Sequence, residues 1–279
     1  LRKQITSRHL DRGAFAPLFL LQWFNMRHMR NTFLALSILF CSLIVANPID
    51  TGHAKASLIT NLQSAEQESF YVGVRLQMQE GWHTYWENPG DSGSPFEVIW
   101  KTNTSTIVEN VQWPTPVTIP YPPLMTYGYE GDIVFPFKVF RSIDEDLSKI
   151  SVDVDFLICA DICIPEQASL TLDLTSINPD PLLDIAIKNL PTGFIQTHST
   201  LNGDQLQVTF KSSKPLSTAY LFPRENDLFV YIPKHDFIQL NENTYQISLP
   251  ILKSNFESFS GVLSIDGEGF QFKEKIQSI

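Results

Sequence analysis

Two runs of alternating apolar residues flank a pair of cysteines near the middle of the chain, and no other segment restricts the fold as strongly. Val152, Val154, Phe156 and Ile158 share one side of the first run, and Leu170, Leu172 and Leu174 share one side of the second. A two-residue period is that of a half-buried strand. Between the runs lies Cys159-Ala-Asp-Ile-Cys163, which reads as an antiparallel hairpin with one cysteine on each side of a three-residue tip. Opposed residues of such a hairpin lie about 4.5–5.5 Å apart at Cα, within reach of a disulfide. In one continuous strand the two cysteines would be roughly 13 Å apart and could not bond. A single helical turn would also bring them close, so the spacing leaves both arrangements open.

The chain around this segment reads as strands and turns. Phe70–Met78 alternates in the same way, and further strand-like runs are 96–100, 132–140, 205–210, 227–232, 244–249 and 261–265. Pro and Gly clusters at 88–91, 114–116, 120–123 and 266–269 separate them, and only Pro181–Leu190 suggests a short helix. Many short strands with this punctuation predict an all-β protein of sandwich type. A seam falls near Ser176–Ser199. Trp82, Trp86, Trp100, Trp113 and both hairpin cysteines precede it, whereas the later part is Phe-rich with neither Trp nor Cys. The expected organisation is a sandwich over 57–178 that carries the chemistry, followed by a second, smaller β domain over 190–279.

Residues 29–56 follow the plan of a secretory signal: Met29-Arg30, a 14-residue apolar run Phe33–Ala46, and Ala54-Lys55-Ala56 as a cleavage site. The run is short for a membrane span, which needs about 20 residues. Cys41 lies inside it and would leave with it. Residues 1–28 do not fit this plan and read as a misassigned or non-native upstream stretch. A cut after Ala56 removes seven of 20 Lys/Arg and two of 30 Asp/Glu, leaving 13 against 28 and a net charge of −15. So acidic a chain will not seek nucleic acid or anionic lipid through its overall field. It also holds no apolar run long enough to cross a bilayer. Export places a chain where disulfides can persist, and two cysteines remain to form one.

The pair admits three uses. Closing a five-residue loop removes unfolded-state entropy worth only about 2 kcal/mol, little for a structural staple, so thiol–disulfide exchange is the favoured reading. A structural bridge is the second. A Cu(I) site with Met125 or His83 is the third, since two thiolates supply half of a zinc site and no second Cys/His pair exists. Asp153, Asp155, Asp161 and Glu166 surround the pair in sequence without a base, a setting that disfavours a thiolate. No cofactor motif, Gly-rich phosphate loop or hydrolase triad is recognisable.

Gly81-Trp-His-Thr-Tyr-Trp86, Asn88-Pro-Gly90, Tyr127-Gly-Tyr-Glu-Gly-Asp-Ile-Val-Phe-Pro136 and Cys159-Ala-Asp-Ile-Cys163-Ile-Pro-Glu166 together resemble the N-terminal periplasmic domain of DsbD/ScsB-type thiol:disulfide interchange proteins. The likeness spans roughly residues 58–175. It implies an immunoglobulin-like sandwich relaying electrons from a membrane-embedded, DsbD/CcdA-like thiol reductase to periplasmic thioredoxin-fold proteins. It further implies Cys163 as the sulfur that joins partners and Cys159 as the resolving one. A cap loop maps onto Met125-Thr126-Tyr127-Gly128 with Tyr127 as shield, and Trp82 and Tyr85 fall among aromatics lining the site. The cysteines are closer together than in the best-known members, and the membrane and thioredoxin-like domains of full-length members have no counterpart here.

Overall fold

The computed structural model describes residues 48–103, 105–142, 147–191 and 193–276. The segment 1–28, the apolar run Phe33–Ala46 and Cys41 lie outside the described residues. The architecture is almost entirely β, as the alternation predicts. One sheet runs in the order β1 (Ile49–Asp50), β2 (Ala54–Thr60), β3 (Ser69–Met78), β9 (Asp132–Phe140) and β6 (Ile107–Val108). Facing it is a sheet ordered β11 (Cys163–Asp173), β10 (Lys149–Cys159), β4 (His83–Gly90), β8 (Leu124–Glu130) and β7 (Val117–Tyr121), with β5 (Glu97–Lys101) also paired to β10. The inward positions of both sheets, among them Val72, Val74, Phe135, Phe137, Ile150 and Val154, are essentially solvent-free and form one immunoglobulin-like core.

The expected boundary at residue 57 falls within the span of this sheet. Ala56 is fully buried, pairs with Leu76 on one side and Ile49 on the other, and stands in the middle of β2. A cut after it would fall inside β2.

After β11 the chain forms α1 (Pro181–Lys188). Asp180 caps it by accepting the Leu182 amide at 2.9 Å, and Pro181 occupies the first turn, where no donor is needed. Leu183 is completely buried against the outer side of β3. A Cβ at Gly73 would stand 2.9 Å from Leu183 Cδ1 and 2.7 Å from Val134 Cγ1, so glycine lets the helix approach the strand.

Two further sheets follow. One is ordered β12 (Gly193–Phe194), β19 (Glu268–Lys275), β18 (Ser258–Ile265) and β15 (Ala219–Pro223). The other is ordered β13 (Thr197–Asn202), β14 (Gln205–Lys211), β17 (Thr244–Pro250) and β16 (Phe237–Asn241). Leu206, Val208, Ile247, Leu263 and Phe272 fill the space between them. Residues 227–232, expected as a strand, are not one. Asp227 takes φ +61°, Phe229 makes a single bridge to Ile251, and the segment bends so that Tyr231 reaches the first sandwich. Its alternation reflects side chains shared between two neighbours rather than a sheet ladder.

The two sandwiches pack closely. Phe222 and Val262 of the later sheets join the first core rather than the second. Phe222 meets Trp86 and Tyr127 edge-on, with centroids 6.1 and 5.0 Å apart, and Tyr220 Oη lies 3.0 Å from Tyr127 Oη. Asn88 Nδ2 donates to Pro223 O at 2.7 Å, and Arg224 Nε donates to Glu87 Oε1 at 2.6 Å. The sequence 88–91, expected to separate strands, instead carries β4 into this joint, with a register shift between Tyr85 and Gly90.

Behind Tyr220 lies His235, 2 % exposed, stacked at 3.9 Å and accepting the Leu221 amide through Nδ1. Burial lowers its pKa to about 4. The unfolded chain therefore binds this proton first, at about pH 6.5, and stability present above that pH is lost as it falls toward 4. We expect a loss of about 3 kcal/mol from this group, read as a falling urea midpoint between pH 7 and 4 that flattens in His235→Gln.

Candidate redox site

The hairpin is formed. Cys159 ends β10, Cys163 begins β11, and the two are directly opposed, with Cα atoms 4.1 Å apart and a disulfide between them. Eleven consecutive register pairs, from Lys149↔Asp173 to Cys159↔Cys163, hold the strands, and Ala160 N donates to Ile162 O at 3.0 Å across the tip. The helical-turn alternative is thereby removed.

The two cysteines are not equivalent. Cys159 is 1 % exposed, whereas Cys163 is open to solvent on the edge strand. Cys159 also pairs laterally with His83, the first residue of β4, which places His83 and Tyr85 on the cysteine side of the sheet. Tyr85 Oη donates to Cys159 Sγ at 2.8 Å and lies 3.5 Å from Cys163 Sγ. Burial pushes the Tyr85 phenol pKa up, so the hydroxyl keeps its proton and remains a donor. Burial pushes His83 down, so its ring is held neutral at the edge of Tyr85, 5.3 Å away. The segment after β4 folds over the Tyr85 ring at Gly93, where a Cβ would meet Tyr85 Cε1 at 2.2 Å and where φ is +97°. Only glycine allows that contact.

On the opposite side of the sheet a second group supports the hairpin. Glu166, paired with Phe156 and 8 % exposed, accepts from the Thr51 hydroxyl, from His53 N at 3.0 Å and from the His53 ring at 2.7 Å. The His53 ring lies tilted against Trp82, with centroids 3.9 Å apart. The turn between β1 and β2 is thus tied to β11 three residues beyond Cys163, and Trp82 serves this brace rather than contacting sulfur. Glu166, His53, Thr51 and Gly93 were missed as site residues. One signal was readable: Glu166 occupies an inward position in register with Ala168 and Leu170, where a lone carboxylate requires partners. Glu166→Ala is expected to cost about 2–3 kcal/mol, measurable as a lowered urea midpoint, because it strips a buried carboxylate from its donors.

The acidic setting is also corrected. Asp153 bonds Lys101 and Ser169, which hold its carboxyl below the usual range, and it lies six residues along the strand from Cys159. Glu166 faces the core side with its partners. Only Asp161 stands exposed in the tip itself.

Tyr127 and Met125 are not where the cap reading puts them. Both belong to β8 and are 1 % and 3 % exposed. Tyr127 packs among Trp86, Tyr220, Phe222 and Tyr231, on the core side of the sheet. Its hydroxyl pKa is raised well above the ordinary value by burial first and by Tyr220 second. The Tyr-Gly-Tyr stretch is strand rather than exposed loop because the second sandwich covers it. Among the described residues, no group of three His, Cys, Asp or Glu side chains converges as a metal site, and no helix is long and apolar enough to cross a membrane.

The site is thus a cystine at the hairpin tip of an all-β sandwich, with one sulfur exposed and the other under a tyrosine hydroxyl. Residues 55–175 match the family model described as thiol:disulfide interchange protein DsbD, N-terminal, and this segment belongs to that family. The match begins inside β2, in keeping with the placement of that strand in the fold. The crystal structure of the N-terminal periplasmic domain of ScsB from Proteus mirabilis superposes with a TM-score of 0.64 at 21 % identity, over 81 % of this chain and 94 % of that one. The shared fold therefore extends beyond the first sandwich. No curated protein matches the sequence.

Proposed function

We propose that this protein is an exported dithiol–disulfide relay, passing electron pairs from a membrane-embedded thiol reductase to thioredoxin-fold proteins of the periplasm through Cys159 and Cys163. The observation that carries the proposal is the asymmetry of the pair: Cys163 is exposed and Cys159 lies beneath Tyr85. A thiolate of the reducing partner attacks Cys163 Sγ in line with the disulfide. The bond to Cys159 breaks, and Cys159 leaves as a thiolate that accepts the Tyr85 hydroxyl proton in a hydrogen bond. A second partner thiolate then attacks its own sulfur in the mixed disulfide and releases Cys163. The partner leaves oxidised by two electrons, and this protein gains two electrons and, from solvent, two protons. The reverse sequence delivers the pair to the acceptor.

Equilibration in glutathione or dithiothreitol buffers tests the reading. A relay requires a potential above about −300 mV, the range of exchangeable bridges; a lower value marks a resistant structural disulfide and removes the proposal. Tyr85→Phe removes one hydrogen bond to the leaving sulfur. Because a bond to a charged group is worth about 1.5–3 kcal/mol, it should slow reduction by a thioredoxin-fold dithiol about ten-fold or more, with the fold retained.

A further inference from the structure

Four residues stand in one lateral row at the cystine end of the first sandwich. Glu130 of β8 is the register partner of His83 on β4, His83 that of Cys159 on β10, and Cys159 that of Cys163 on β11. Residues paired across a sheet project to the same side, about 4.5–5.5 Å from one neighbour to the next. The adjoining residues Tyr129, Ile158 and Ile164 pack in or against the first core, so the row projects from the outer side. Burial is graded along it. Glu130 and Cys163 are exposed at its ends, whereas His83 is 8 % and Cys159 1 % exposed. Tyr85 closes over the middle, with its hydroxyl on Cys159 Sγ at 2.8 Å and its ring edge-on to His83 at 5.3 Å.

Exchange poses a proton problem at the inner sulfur. Once reduced Cys163 has joined an acceptor, Cys159 must lose its thiol proton before it can attack, and burial disfavours a thiolate. Solvent scarcely reaches this sulfur, and the Tyr85 phenol, which keeps its own proton, is a donor and not a base. We infer that His83 is the general base of this closing step, taking the Cys159 proton within the row Glu130, His83, Cys159, Cys163. The electron pair left on Cys159 Sγ then forms the bond to Cys163 Sγ. The bond from Cys163 to the acceptor breaks, and its pair leaves with the acceptor as a thiolate. The dithiol is thereby oxidised to the cystine and the acceptor is reduced. The imidazolium passes its proton to solvent at the Glu130 end, and in the reverse direction the same ring protonates Cys159 as the disulfide opens. This role rests on the exchange reading of the pair. Burial lowers the His83 pKa and the Glu130 charge opposes it, so at neutral pH the ring is free to accept a proton and its cation has a counter-charge. Other carboxylates on the surrounding elements are exposed, as Glu80, Asp155 and Asp161 are, or bound elsewhere, Glu87 to Arg224 and Asp91 to the Met125 amide.

Closure is read in isolation by adding one equivalent of dithiobis(nitrobenzoate) to the reduced full chain carrying Cys41→Ser, so that only the pair reacts. The first thionitrobenzoate released reports attack by Cys163, and the second reports closure by Cys159. In this parent, closure should be level across neutral pH and fall at some point below pH 6.5, as His83 takes up a proton. His83→Gln should slow closure about 100-fold near neutral pH. That deficit should shrink as the pH rises through the thiol range, about 8.5, where hydroxide replaces the base. Glu130→Gln, a change at an exposed position, should move the inflection to lower pH. The inference is overturned if closure in the parent climbs steadily through neutral pH with no inflection below 6.5, or if Glu130→Gln leaves that inflection in place. It is equally overturned if His83→Gln closes as the parent does, or is slowed by the same factor at every pH, the mark of a purely structural role. The relay itself stands or falls on the reduction potential, into which none of these rates enters.

Discussion

Replacing Cys163 by Ser is expected to reduce exchange with a dithiol partner to the background rate, while Cys159→Ser keeps one productive step and stops there. The difference follows from exposure. In Cys159→Ser the remaining thiol is the accessible one, so an oxidised thioredoxin-fold partner is captured as a stable mixed disulfide through Cys163. In Cys163→Ser the remaining thiol is 1 % exposed beneath the Tyr85 ring, and no partner sulfur reaches it without displacing that ring. Non-reducing gels and intact-mass measurement after mixing read the outcome directly. Capture by Cys163→Ser but not by Cys159→Ser would reverse the roles assigned here. Equal capture by both would remove the significance of the buried sulfur.

Tyr127→Ala is expected to be among the most destabilising single changes, at about 3–5 kcal/mol, and to leave the exchange rate of the folded protein unchanged. The ring fills the joint between the sandwiches against Trp86, Phe222 and Tyr231, and its hydroxyl meets that of Tyr220, which in turn donates to Ile232 O at 2.5 Å. Truncation leaves a cavity and removes the hydroxyl contact to Tyr220, whose bond to Ile232 O remains. Urea unfolding and the rate of reduction by dithiothreitol, measured on the same sample below the unfolding transition, separate the two effects. A large acceleration of reduction without loss of stability would restore Tyr127 as a shield over the disulfide.

The contrast between Tyr85 and Tyr127 shows how far a sequence can be read. Both are aromatic residues inside matched motifs, and both were assigned to the site. Period-two alternation determined the two flanking strands, because Val152, Val154, Phe156 and Ile158 can face one core only if the chain is extended there. The spacing left a hairpin and a helical turn both open, and the register of the folded strands puts Cys159 and Cys163 opposite one another. The all-β class, the long strands β3 and β9, the short helix and the cysteine pair followed from such local rules.

Which aromatic attends the sulfur did not follow. Tyr85 reaches Cys159 because β4 pairs with β10 at His83, and Tyr127 is buried because the later sandwich lies over β8. Glu166 finds Thr51 and His53 more than 110 residues away for the same kind of reason: two sheet edges meet at that corner. Small residues at Ala54-Lys55-Ala56 suit both a cleavage site and a packed strand, and only the fold shows Ala56 paired with Leu76. The sequence by itself therefore determined the cysteine pair and the strands that flank it, since these rest on neighbours along the chain. Tertiary structure alone decided which sulfur faces solvent, which tyrosine donates to the buried one and which closes the joint, because those are set by how separate sheets pack.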